Sequence, residues 1–190
     1  MLTPPESIET QRLVLRLVDP SNAEALSKYH LDNQDRFAPY CPKRPIGYHS
    51  EAAWVERALA QRESMRAGQT IHWLIFSRDQ SNRDVVAHIG FTAIQRGVAQ
   101  CAYLGYGLDR ASEGKGLMRE ALCAALADVF ERANLHRVMA NYVPTNERSG
   151  RLLRRLGFNV EGYARDYLLL DGVWKDHILT ALSNPRWKAE

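Results

Sequence analysis

Two glycines flanking a lysine, Gly114-Lys115-Gly116, stand immediately ahead of the longest apolar periodicity in the chain. A helix N-terminus exposes free N–H groups that carry about half a positive charge and attract anions. Glycine lets such a backbone come within contact of a pyrophosphate, where a Cβ would obstruct it. Lys115 and Arg119 add positive charge on the same turn. Taken alone, these residues suit equally well a strand-to-helix turn that needs positive φ and binds nothing. The spacing argues against two phosphate sites. A dinucleotide fold needs GxGxxG after its first strand, and residue 119 is arginine. A P-loop needs GxxxxGK followed by Ser or Thr, which is missing. Some other phosphate-bearing cofactor is favoured.

A second spacing, Asn146-x-x-Ser149, precedes a short apolar stripe and reads from its residue types as a helix cap. The six histidines, at 30, 49, 72, 88, 136 and 177, offer no ligand spacing, so no metal is expected. Cys41, Cys101 and Cys123 are odd in number and lack a CxxC pair, which argues against a disulfide framework and for a reducing, cytoplasmic setting.

The elements that must hold these residues follow from composition and period. The 190 residues, 45% hydrophobic and 25% charged, suit a single domain spanning 1–190 with one sizeable core. A net charge of +3 is too small to point to DNA, and no apolar run is long enough for a membrane span. The opening MLTPPESIETQRL predicts no secretory leader. Leu13–Val18 predicts a first strand, and Asp19-Pro20 a helix start running towards His30. A Pro-rich loop over 39–47 leads to Ser50, the predicted cap of a helix that carries Trp54, Val55, Ala58 and Leu59 and stops at Gly68. Three strands over 71–76, 85–94 and 101–108 read as an antiparallel meander, with turns at 79–82 and Arg96-Gly97. The period then changes to that of a long helix from Leu117 to Ala133. A strand over 137–143, a short helix over 146–156 closed by Gly157, and strands near 160–170 and 174–182 joined by Asp171-Gly172 complete an α+β pattern.

Four segments, CAYLGYGL, GKGLMREAL, HRVMANYVPTNERSGRLLRRLGF and GYARDYLLLDGVWKDHILTAL, resemble the GCN5-related N-acetyltransferase (GNAT) superfamily, in particular its RimJ/RimL branch. The likeness runs from about Ile8 to Trp187. It implies a mixed, mostly antiparallel central sheet flanked by helices and splayed between strands 101–108 and 137–143, with acetyl-CoA in the splay. The superfamily loop, Q/R-x-x-G-x-G/A, is met at Gly114 and Gly116 but carries Ala111 in its first position. The resemblance therefore assigns the pyrophosphate to backbone amides of Glu113, Gly114, Lys115, Gly116, Leu117 and Met118, with Lys115 or Arg110 beside them.

Moving an acyl group from a thioester to an amine needs a neutral amine, a stabilised oxyanion and a proton for the leaving thiolate. The resemblance places a backbone amide near Leu104–Tyr106 at the thioester oxygen. It gives Ser149 to the leaving sulfur and Asn146 to the pantetheine amide, because Leu153 stands where relatives carry a tyrosine acid. No carboxylate lies on 101–108, so water relayed by Tyr103, Asp166 or His88 is the expected base. The loop 39–48 and the Trp54 helix are expected to wall the acceptor groove, with Trp73 and Tyr106 on its floor. The implied acceptor is a protein N-terminus, above all the N-terminal alanine of ribosomal protein S5, met free or on the pre-30S subunit. Small amines, or a ribosome-assembly role with acetyl-CoA as mere ligand, are the alternatives.

Overall fold

A computed structural model describes residues 4–79 and 84–189. One eight-stranded sheet runs through it in the order β1-β2-β3-β4-β5-β6-β8-β7. Its strands are β1 Ser7–Glu9, β2 Leu13–Leu17, β3 Ile71–Ser77, β4 Val85–Gln95, β5 Cys101–Leu108, β6 Arg137–Met139, β7 Asn159–Leu170 and β8 Val173–Ser183. The helices are α1 Ala23–Asp32, α2 Gln34–Phe37, α3 Glu51–Arg66, α4 Leu117–Glu131 and α5 Glu147–Arg155.

Period-two alternation divides the core between the two faces of the sheet. In β3, Ile71, Trp73 and Ile75 point to the face covered by α4, where Ala121, Leu122, Ala125 and Val129 are also fully or nearly fully buried. Leu74 and Phe76 point the other way, into a second cluster with Leu26 of α1 and with Trp54 and Ala58 of α3. Local chemistry sets the ends of these elements. The Asp19 carboxylate accepts from the Ser21 amide at 3.0 Å at the entry to α1, and Ser50 caps α3 by accepting from Ala53 N at 3.3 Å. Asp171 and Gly172 both take positive φ, 49° and 76°, the mirror-image turn that an Asp-Gly pair favours between antiparallel strands.

Three points differ from the sequence reading, and a fourth falls mostly outside the described residues. The three-residue β1 was not foreseen, being too short to show a period. Leu59 is 55% exposed, because α3 turns Trp54, Ala58 and Met65 inward instead. The strand expected over 137–143 stops at Met139 and continues only as a bridge from Tyr142 to Ile178. Of the turn expected at 79–82, residues 80–82 lie outside the described residues.

Candidate active site

The meander β2–β5 is antiparallel throughout, and β5 then meets β6 in parallel for three pairs only: Cys101 with Arg137, Ala102 with Val138 and Tyr103 with Met139. Beyond Tyr103 the two backbones part. Ala140 N turns to Thr180 O at 2.9 Å, and Asn141 Oδ1 accepts from Thr180 N at 3.2 Å, so β8 draws this segment away. The edge of β5 from Leu104 onward therefore faces a cleft, with backbone polar groups along one wall.

At the mouth of the cleft, Asp109 opens a short 3-10 turn, Arg110–Ser112, by accepting from Ala111 N at 2.9 Å. Gly114 and Gly116 follow with φ of +75° and +74°, and Gly116 is the N-cap of α4. Nothing lies within 4 Å of where a Gly114 Cβ would stand, so the turn presents open space over bare backbone. The first amides of α4 have no intrahelical acceptor, since that ladder starts with Glu120 N on Gly116 O at 3.2 Å. An anion suits this spot. Glu113 does not join the cradle through its amide, which donates to Arg110 O at 3.2 Å. Its carboxylate pairs instead with Arg36 of α2 and Arg148 of α5, tying the loop to both sides of the cleft.

Sequence reasoning missed the support behind the loop. Arg12 donates to Lys115 O at 2.9 Å and to Glu120 Oε2 at 2.7 Å, while its amide and Thr10 Oγ1 donate to Glu120 Oε1 at 2.8 and 2.6 Å. Burial raises the pKa of this carboxyl, but those donors outweigh it and leave the net value lowered. Residues 12 and 120 are too far apart in sequence for any local pattern to pair them.

Deeper in the cleft, Tyr106 of β5 meets Ser149 of α5, Oη to Oγ at 2.7 Å. Burial pushes the Tyr106 phenol up to about 12, against the opposing pull of that hydrogen bond. Asn146 caps α5 by accepting from Ser149 N at 3.2 Å, which fixes the backbone that carries the serine hydroxyl and leaves the Asn146 amide nitrogen as a donor. Leu104 and Met118 are 7% and 6% exposed with their side chains in the core, so only their backbones face the cleft.

The opposite wall is built by the β7–β8 hairpin and the segment after α2. Asp171 N donates to Cys41 O at 2.9 Å, and beneath this contact lies a cavity of about 180 Å³ lined by His30, Phe37, Cys41, Arg44 and His49. Trp73 is fully buried on the α4 face and Trp54 is 3% exposed, stacked on His30 at 4.3 Å. Trp73 therefore does not floor the groove as expected; its indole belongs to the core. Tyr103 is exposed, and a hydrogen bond with Tyr167, with some burial, raises its pKa. Tyr167 in turn accepts from Asn141 Nδ2 at 3.2 Å. Asp166 sits exposed at a bulge in β7 with φ of +45° and its amide on Asp176, and its carboxylate has no hydrogen-bond partner among the described residues. His88 lies against His72, Nε2 to Nδ1 at 3.4 Å, and desolvation holds it neutral.

Residues 12–159 match the family described as "Acetyltransferase (GNAT) domain". The chain belongs to the GNAT acetyltransferases. Over 184 residues, 97% of this chain and 94% of its counterpart, it is 40% identical to "[Ribosomal protein uS5]-alanine N-acetyltransferase" of Escherichia coli (strain K12). Among solved structures it is similar to the ribosomal-protein-S5-alanine acetyltransferase from Vibrio fischeri, at a TM-score of 0.91 and 33% identity over 96% of this chain and 99% of that one. It is also similar to Mycobacterium smegmatis RimJ in complex with CoA-disulfide, at a TM-score of 0.89 and 25% identity over 98% and 91%. Among the described residues, no helix is long and apolar enough to cross a membrane.

Proposed function

We propose that this acetyltransferase moves the acetyl group of acetyl-CoA onto the α-amine of a protein N-terminus, specifically the N-terminal alanine of ribosomal protein S5, in the cytoplasm. The observation that carries this reading is the near full-length likeness to S5-alanine acetyltransferases, with the cleft residues above falling inside the matched span. The acceptor is met free or within the pre-30S subunit; only its free end needs to reach the cleft. Three free cysteines fit a reducing compartment.

The residues present fit acetyl-CoA, because the turn at Gly114 and Gly116 leaves room where side chains would stand. Backbone amides from Gly114 to Arg119 and the Lys115 ammonium hold the pyrophosphate, and the exposed β5 edge at Leu104–Tyr106 lies along the pantetheine arm. Acetyl-CoA supplies a carbonyl activated by a thiol leaving group. A β5 amide stabilises charge on that carbonyl oxygen, Asn146 Nδ2 orients the arm, and the Ser149 hydroxyl donates to the departing sulfur. Water held by Tyr103, near the Asp166 bulge, removes the amine proton.

Substrate basicity supports an α-amine. At pH 7 such a group, with a pKa near 8, must give up only about one unit, roughly 1.4 kcal/mol, whereas a lysine near 10.4 costs close to 5 kcal/mol. Strand β5 carries no carboxylate to offset the larger cost. A peptide with the S5 N-terminal sequence should therefore be acetylated at least a hundredfold faster than the same peptide blocked at its end and carrying one lysine, or than a panel of small amines. Equal rates on the blocked peptide, or a preferred small amine, would overturn the assignment.

A further inference from the structure

We propose that Tyr106 is a positioning residue that aims the Ser149 hydroxyl at the leaving sulfur by donating its own proton to Ser149 Oγ. The inference rests on the acetyltransferase reading above and extends it to the side chain of Tyr106, otherwise taken only as cleft lining. Three observations carry it. The two oxygens are 2.7 Å apart, a full-strength O–H···O contact. Tyr106 stands on β5 three residues past the last pair with β6, on the wall that the thioester must face. The Ser149 amide is already committed to Asn146 Oδ1, so its backbone is fixed and only the side-chain torsion that places Oγ and the hydroxyl rotor are left for Tyr106 to set.

A serine has one proton and two acceptor positions. A phenol is a stronger acid than an alcohol, so in this pair Tyr106 is the better donor and Ser149 the better acceptor. With an acceptor site on Oγ filled, the serine proton must point away from Tyr106. Without that partner, a serine in the first turn of a helix turns back to bond nearby backbone. Linked donors also polarise one another, so the Ser149 proton becomes the stronger donor to sulfur as the C–S bond breaks. Both hydroxyls end the cycle protonated as they began: the acceptor nitrogen loses one proton, and the thiol released carries one.

The test is a double-mutant cycle on the full chain with acetyl-CoA and an N-terminal peptide. Ser149→Ala should lower kcat by roughly 30- to 100-fold, the low end of proton-transfer assistance. Tyr106→Phe should lower it by roughly 3- to 10-fold, the size of one hydrogen bond. The double variant should be no slower than Ser149→Ala, because Tyr106 acts only through that serine. The KM for acetyl-CoA should stay within about twofold throughout. A second readout needs no turnover: the thiol of bound CoA, titrated by thiolate absorbance, should have a higher pKa in both single variants, with no further rise in the double one. Multiplying losses in the double variant, or an unmoved thiol pKa in Tyr106→Phe, would overturn the proposal. Wild-type enzyme inactive on the peptide would instead overturn the substrate assignment, and the thiol titration would still decide on Tyr106.

Discussion

Single residues in the cofactor turn do two jobs that mutation can separate. Gly116 needs its left-handed backbone, and its missing side chain leaves ligand space. A Cβ there would approach only Arg12 Nη2, at an ordinary 3.7 Å, so the protein itself has room for one. Gly97 also has positive φ, +66°, with nothing nearby, but it lies in the turn ahead of β5, at the far end from the cradle. Valine at either position should cost stability by strain alone, roughly 1–2 kcal/mol. Only Gly116→Val should also weaken acetyl-CoA binding, by tenfold or more, which is about 1.4 kcal/mol. Calorimetric titration of both folded variants checks this; equal affinities would remove Gly116 from the cradle.

Elements declared themselves in the sequence according to how much local signal each carried. The α4 stripe and the Cys101–Leu108 strand have long, regular periods, and the structure gives them nearly the bounds expected. Asp171-Gly172 and Ser50 are local chemistry, and both act as expected. The end of β6 was not legible, because what stops it is a pair of hydrogen bonds to Thr180, some forty residues on. The amide of Glu113, which the resemblance assigns to the cofactor, closes the 3-10 turn on Arg110 O, and its carboxylate pairs with Arg36 and Arg148 from separate helices that no local spacing links to it. Trp73 looks the same in sequence whether it floors a groove or fills a core, and burial alone separates the two. The Tyr106–Ser149 pair joins two residues singled out independently, and their contact could not be seen from spacing.

The molecule as a whole carries a set of imidazoles it must keep neutral. His30 is stacked on Trp54, His72 on His88, and His30 and His88 have ring centres 6.3 Å apart. Burial lowers His30 to about 3 and His72 to about 4, and His88 is lowered well below the usual range. The folded values lie below the unfolded one near 6.5, so the unfolded chain takes up protons first. Above about pH 6.5 these rings contribute nothing to the pH dependence. Below it each costs up to about 1.4 kcal/mol of stability per pH unit, until its folded value is reached. The melting temperature should be level from pH 8 to 6.5 and then drop on the order of 10 °C by pH 5. A level profile through pH 5 would show that the rings titrate freely in the folded protein.

Strand β6 is three residues long and holds β5 on one side and β8 on the other by three pairs each. It is an isthmus between two territories, the meander up to β5 and the β7–β8 hairpin with its long register. Opening between β5 and β6 costs few hydrogen bonds, whereas Ala140, Asn141 and Tyr142 tie the segment after β6 to β8, so β6 and the hairpin should detach together as a cooperative unit at lower free energy than β3 and β4. A ligand lying in the cleft spans both territories and is released when they part, so it ties their opening together. Amide hydrogen exchange should find β7 and β8 faster than β3 and β4 in the free enzyme, with the difference narrowing when acetyl-CoA is added. In the placement proposed above, the cofactor would complete the sheet, filling the interval that β5 and β6 leave between them.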